Sequence, residues 1–172
     1  MTKSPAIIVV LVLISGNAFL SVAGGLNEAC KKTSDYDKCI QQIALNATLA
    51  SAETASDFIA RQRENLKNMG PEEVEALRIC ASAVRPAIGA LRDAATMSAK
   101  LSSGSASGTG AVAVDVIRKL KDLVIGEKAC CDSMKKTSVK VSDAEKDAVQ
   151  SACKYVRQAA VAARATQALI KK

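Results

Sequence analysis

Four stretches of this chain place mostly apolar side chains every three or four residues, which is the spacing of one face of an α-helix. The first three rows contain Ile40, Ile43, Ala47, Ala50, Thr54 and Phe58; Val74, Leu77, Ala81, Val84, Ile88, Leu91 and Ala95; and Val116, Leu120, Leu123, Cys130 and Met134. The fourth stretch has two adjacent rows: Ala148, Ala152, Tyr155, Ala159, Ala162, Thr166 and Leu169; and Val149, Cys153, Val156, Ala160, Ala163 and Ile170. No stretch of any length reads as a β-strand, so the sequence predicts an all-α protein.

The ends of these helices follow from local chemistry. Asn68-Met69-Gly70 predicts the end of the first helix, because glycine readily adopts the left-handed conformation of a C-cap. Pro71 suits the first position of the next helix, whereas Pro86 lies inside that helix and predicts a kink. Residues 101–110, rich in glycine and serine, predict a long flexible connection. Ser142-Asp143-Ala144-Glu145 is a capping box that opens the fourth helix.

The overall architecture follows from these faces. Small alanine side chains allow helices to approach closely, which favours an up-down four-helix bundle. The fourth helix is apolar over the widest arc, so we expect it to be the most buried. Residues 27–38 precede the first apolar row and predict a short appendage.

The N-terminus has the pattern of a secretory signal peptide. Lys3 precedes an apolar run over residues 6–14, and small residues end at Ala23. We therefore predict a signal peptide over residues 1–23 and one exported domain over residues 24–172. The alternative is a membrane anchor, but a spanning helix needs about 20 apolar residues and Gly16-Asn17 interrupts this run.

Composition limits the function. The chain has 24 Lys+Arg against 17 Asp+Glu, a net charge of +7, no histidine, and only 2% aromatic residues. Histidine-dependent triads, dyads and zinc sites are thereby excluded. Rings are too few for a base-stacking platform, and basic residues are mixed with acidic ones, which argues against nucleic acid. We predict a binding protein rather than an enzyme, with no metal and no cofactor; direct binding of acidic polysaccharide stays open.

Six cysteines follow the signal peptide, and in an oxidising compartment an even number suggests disulfides, with fifteen possible pairings. Bonding Cys30 to Cys39 would close a small loop across the appendage. Cys80 lies beside the apolar row of the second helix and Cys130 lies on that of the third, so a bond there would join two neighbouring helices.

The remaining cysteines leave alternatives. Cys131 points about 100° away from its neighbour on a helix, and it can pair with Cys153 or stay free. Cys153 can equally be a small buried hydrophobic residue. A glycosylation sequon at Asn46 falls in the first predicted helix.

Four segments resemble one family, and the last of them is the apolar ending Thr166-Gln-Ala-Leu-Ile170. Ala29-Cys-Lys-Lys-Thr-Ser-Asp-Tyr-Asp-Lys-Cys39 looks like the opening hairpin of the plant invertase and pectin methylesterase inhibitors. Residues 77–94, with the pattern Leu-x-x-Cys-Ala-x-x-Val, and residues 129–134, Ala-Cys-Cys-Asp-Ser-Met, are similar to the signatures of the second and third helices. The resemblance covers almost all of residues 24–172.

The resemblance implies a fold and a function. It implies an N-terminal helical hairpin with its own disulfide, Cys30–Cys39, joined to a four-helix bundle that contains Cys80–Cys130. Members of the family bind an enzyme rather than catalyse a reaction. The pectin methylesterase inhibitors lay bundle helices across the substrate cleft in a one-to-one complex, whereas the invertase inhibitors insert a Pro-Lys-Phe segment. This chain has no Pro-Lys-Phe, which favours pectin methylesterase as the target.

The residues expected to contact the enzyme lie on the second and third predicted helices. Asp132 matches the acidic position of the family's third-helix signature, and Arg85, Arg92 and Asp93 lie on the predicted outer face of the second helix. Each of them can instead be a solvated surface charge. The alternative functions are inhibition of cell-wall or vacuolar acid invertase, and pectin binding without inhibition. The expected location is the apoplast, with the vacuole as the alternative.

Overall fold

The computed structural model describes residues 30–31, 35–64, 69–101, 109–138 and 143–170 of the 172-residue chain. The predicted signal peptide, residues 1–23, lies outside the described residues. The described chain forms four helices: α1 (Tyr36–Glu64), α2 (Pro71–Leu101), α3 (Thr109–Ser138) and α4 (Asp143–Ile170). Each contains 28 to 31 residues, which corresponds to a length of about 42–47 Å. No strand occurs in these ranges, and the all-α prediction is confirmed.

The helices pack as an up-down bundle. Each helix contacts the next, α4 closes the ring against α1, and α2 meets α4 across the diagonal. The Gln41 side chain, near the start of α1, donates to the Leu169 carbonyl at the end of α4. Cys80 in the first half of α2 is bonded to Cys130 in the second half of α3, so these helices are also antiparallel. The predicted four-helix bundle is confirmed.

The first turn of α1 is continuous with the rest of that helix and is not a separate appendage. Asp35 is its N-cap: Oδ1 accepts the Lys38 amide at 3.2 Å, and the Asp35 carbonyl accepts the Cys39 amide at 3.1 Å. The hydrogen bond from the Lys38 side chain also lowers the pKa of Asp35. The predicted appendage over residues 27–38 therefore extended too far, because α1 already begins after Asp35. The Cys30–Cys39 disulfide ties Cys30 onto this first turn.

The other helix boundaries partly follow the prediction. α2 begins at Pro71 and α4 at Asp143, as predicted. The helix α2 continues through Pro86 without interruption, so the expected kink does not divide it. The predicted connection over residues 101–110 is too long, because α3 already begins at Thr109.

Burial confirms the predicted row of α3 and most of that of α2. Five α3 side chains are at most 2% exposed: Val116, Leu120, Leu123, Cys130 and Met134. On α2, Leu77, Ala81, Val84, Ile88 and Leu91 are buried. The exceptions are Val74, which is 37% exposed near the start of α2, and Ala95, which is half-buried.

The predicted row of α1 is only partly confirmed, because Ala47 is buried and Phe58 packs against the core, but Ile40, Ile43 and Ala50 are half-buried. The buried side chains of that helix are Leu45, Ala47, Thr48, Ala52, Ala55 and Ile59, whereas Thr54 is exposed. The buried row contains a polar residue, and this obscured it in the sequence. The Thr48 hydroxyl is satisfied inside the protein: it donates to the Ala44 carbonyl at 2.9 Å and lies 2.8 Å from the Thr166 hydroxyl of α4.

The prediction that α4 is the most buried helix is wrong for the described side chains. The largest set of buried apolar residues belongs to α2: Ala76, Leu77, Cys80, Ala81, Val84, Ala87, Ile88, Ala90, Leu91 and Ala94. That helix contacts all three others. None of the four described helices is both long and apolar enough to span a membrane.

Candidate functional site

Two adjacent cysteines fix α3 to both of its neighbours. Cys130 is bonded to Cys80 of α2 with a Cα–Cα distance of 4.5 Å, and Cys131 is bonded to Cys153 of α4 with a Cα–Cα distance of 4.9 Å. Successive helical residues point about 100° apart, which is close to the angle between two neighbours in a four-helix bundle. The pairs Cys30–Cys39 and Cys80–Cys130 are confirmed. The interpretation of Cys153 as an unpaired hydrophobic residue is wrong, because all six cysteines are bonded.

Close packing against α2 reinforces this attachment. Gly126 lies one turn before Cys130, and a Cβ atom built on it would come within 2.5 Å of the Ala83 Cβ. Real Cβ atoms are not found so close, so the two helices can approach this far only because residue 126 has no side chain. Gly126 was not predicted as a contact from the sequence, although a glycine inside a helical pattern is a signal of close packing.

A partly buried carboxylate joins α3 to α4. Glu127 has a side chain only 13% exposed, and it accepts from Arg157 at 3.2 Å and from Arg164 at 2.8 Å. The two arginines are seven residues apart and therefore lie on the same side of α4. This arrangement was also missed, because nothing in the local sequence of Glu127 indicates partners 30 and 37 residues away.

On its outer side, α3 exposes a row of residues that includes two large apolar side chains. Ile125 is 71% exposed and Val114 is 67% exposed, the highest values among the large hydrophobic residues of the described helices. Asp132 is also exposed and lies seven residues after Ile125, two turns along the same row. We call Val114, Ile125 and Asp132 the outer row of α3. An apolar side chain presented between charges on a fixed helix is suited to protein binding.

The predicted contact residues are not all brought together. Asp132 lies on the outer row of α3, whereas Arg92 reaches across to α1, where its guanidinium contacts Glu53 at 2.7 Å. Arg85 is seven residues before Arg92, so both lie on the side of α2 that faces α1. Asp93 is exposed on α2. The α2 arginines and Asp132 thus belong to different surfaces.

The described residues contain no group of three or more acidic or cysteine side chains arranged to hold a metal ion. Comparison of the chain with protein-family models, with curated proteins and with solved structures found no match.

Proposed function

We propose that the protein is a secreted inhibitor of pectin methylesterase, which binds the enzyme one-to-one over its substrate cleft. The outer row of α3 is the binding surface in this proposal. The observation that carries it is the exposure of Ile125 beside Asp132 on a helix that is bonded to both neighbours. The resemblance of residues 29–39 and 129–134 to the inhibitor family supplies the kind of target.

Energetics supports a partner at this row. Burying an exposed isoleucine side chain stabilises a complex by about 1.5–3 kcal/mol. A few such residues usually dominate the free energy of binding at an interface. Ile125 has no such burial in the folded chain, so this stabilisation is available only to a partner.

The rigidity of α3 also supports a binding partner at the outer row. A surface that is already ordered loses little conformational entropy on binding. The two disulfides of Cys130 and Cys131, together with the contacts of Glu127, restrain α3 on both sides over the turns that include Ile125. An inhibitor that covers a cleft without reacting benefits from such a preformed surface.

The experiment titrates the oxidised protein, from residue 24 onward, against a plant pectin methylesterase and a plant acid invertase at mildly acidic pH. We expect stoichiometric loss of methylesterase activity alone. Loss of invertase activity alone would replace the target with the alternative one. Full activity of both enzymes would refute inhibition.

Matched variants test the surface. Ile125→Ala and Asp132→Ala should each weaken inhibition about tenfold or more, the usual size of a hot-spot effect. Val161→Ala is the control, because Val161 is an exposed apolar residue of α4 that lies outside the outer row. Equal inhibition by all three variants would exclude the outer row as the binding surface.

A further inference from the structure

Charge is distributed unevenly over the bundle. α1 and α2 together carry seven basic and eight acidic residues, whereas α3 and α4 carry ten basic and seven acidic residues. The excess positive charge of the four helices therefore belongs to the α3–α4 half. Sequence order alone hides this, since basic and acidic residues alternate along the chain.

Five exposed cations of that half lie on the outer side of α3 and α4, along the line where the two helices meet or next to it. They are Lys121 and Lys128 of α3, and Lys154, Arg157 and Arg164 of α4; we call them the α3–α4 face. The Cys131–Cys153 disulfide sets the level at which the two helices meet. Lys128 lies three residues before Cys131, and Lys154 directly follows Cys153, so both are close to this level.

The second level of the face lies two turns along the bundle. Lys121 is seven residues before Lys128, a distance of about 10 Å along α3. Arg164 is seven residues after Arg157 on α4, which runs in the opposite direction, so it lies near the level of Lys121. Glu127 contacts both arginines and holds their guanidinium groups at the junction.

Acidic residues leave most of this positive charge uncompensated. Glu127 accepts from both arginines, whose side chains remain 56% and 51% exposed. None of the ion pairs in the described helices involves Lys121, Lys128 or Lys154. Two more exposed carboxylates lie near the Lys128–Lys154 end of the face: Asp132 of α3, and Asp147, which is seven residues before Lys154 on α4. Five cations thus outnumber the carboxylates Glu127, Asp132 and Asp147 on a surface about 15 Å long.

We propose that the α3–α4 face binds a linear polycarboxylate, such as polygalacturonate. Two rows of cations on antiparallel helices match negative groups that recur along an extended chain. This binding is independent of enzyme inhibition, because it needs neither an enzyme nor Ile125.

The face is poorly suited to other polyanions. Single-stranded nucleic acid needs exposed rings for stacking, yet Tyr155 of α4 packs against Phe58 of α1 with ring centroids 4.8 Å apart. Membrane-surface helices insert large apolar residues such as Trp, Phe or Leu. The exposed large hydrophobic residues of the described parts of α3 and α4 are Val114, Ile125 and Val161, and none of them is Trp, Phe or Leu.

The test measures binding of the oxidised protein, from residue 24 onward, to polygalacturonate at low and high salt. A triple variant, Lys121→Gln/Lys128→Gln/Lys154→Gln, removes three charges from the face. The matched control, Arg61→Gln/Arg63→Gln/Arg85→Gln, removes three exposed charges from α1 and α2. Thermal unfolding of both variants checks that the fold is retained.

We expect binding at low salt that weakens as salt screens the charges. The triple variant should bind at least about tenfold more weakly, and the control should stay close to the unmodified protein. Equal weakening in both variants would show that net charge alone is responsible and would overturn the proposal. Absence of binding, or tighter binding to DNA or to vesicles of anionic lipid, would also overturn it. None of these outcomes depends on inhibition of an enzyme.

Discussion

At the scale of single residues, a buried pair of hydroxyls lies where α1 packs against α4. Thr48 and Thr166 are 0% and 1% exposed, and both hydroxyls reach the Ala44 carbonyl, at 2.9 and 3.1 Å. A buried hydroxyl without a partner is costly, whereas one with a partner is tolerated. Because both hydroxyls have hydrogen-bond partners inside the protein, the row that contains Thr48 can be buried against α4.

The pair predicts non-additive energetics. Thr48→Val and Thr166→Val should each lower the free energy of unfolding by about 1 kcal/mol, because each removes a buried hydroxyl that bonds both the Ala44 carbonyl and the other threonine. The double variant should cost less than the sum, since two apolar side chains of the same shape then face each other. Urea unfolding of the four proteins measures the coupling. Strict additivity would mean that the two hydroxyls do not interact in solution.

At the scale of helices, the sequence predicts what is local and misses what depends on a partner helix. The starts of α2 and α4 were predictable, because Pro71 and the acidic turn at Asp143 act within their own helix. The row of α3 was predictable, because its apolar side chains are large and evenly spaced. By contrast, the row of α1 depends on Thr166, which lies 118 residues away from Thr48.

The same distinction between local signals and contacts with a partner helix explains which residues of the candidate site were predicted. Asp132 was identified from the resemblance of its segment, whereas Ile125 was overlooked. A signal for it existed, because Ile125 is a large apolar residue outside the buried row of its own helix. The environment of Glu127 had no such signal, since its two arginines come from α4.

Two glycines predict opposite effects of the same substitution. Gly126→Ala places a Cβ atom against Ala83, so α2 and α3 must separate, and overpacking of this kind costs about 1–3 kcal/mol. Gly89→Ala meets nothing within 4 Å. In the middle of α2, alanine should therefore stabilise the protein by about 0.5–1 kcal/mol relative to glycine.

Thermal or urea unfolding of both variants measures this difference. Since the chemical change is identical, the sign depends only on the space around each residue. A stabilising effect at both positions would show that α2 and α3 are not in close contact at Gly126.

At the scale of the whole molecule, the disulfides divide the bundle unequally. Cys80–Cys130 and Cys131–Cys153 join α2, α3 and α4 into one covalently linked unit. The third disulfide, Cys30–Cys39, joins α1 only to Cys30, which precedes that helix in the chain. In the described part of the chain, α1 is therefore held to the other helices by noncovalent contacts alone.

The lengths of the closed loops predict a ranking of stability. The loops span 50, 22 and 9 residues. Restricting the unfolded chain over such loops contributes about 4, 3.4 and 2.6 kcal/mol, respectively. Replacing both cysteines by alanine should therefore destabilise the protein most for Cys80–Cys130 and least for Cys30–Cys39. Burial acts in the same direction, because Cys80 and Cys130 are both fully buried and their sulfur atoms leave a cavity when removed.

Denaturant unfolding of the three double variants measures the order. A larger loss for Cys131–Cys153 than for Cys80–Cys130 would mean that its attachment of α3 to α4 stabilises the native state through contacts, and not mainly by restricting the unfolded chain.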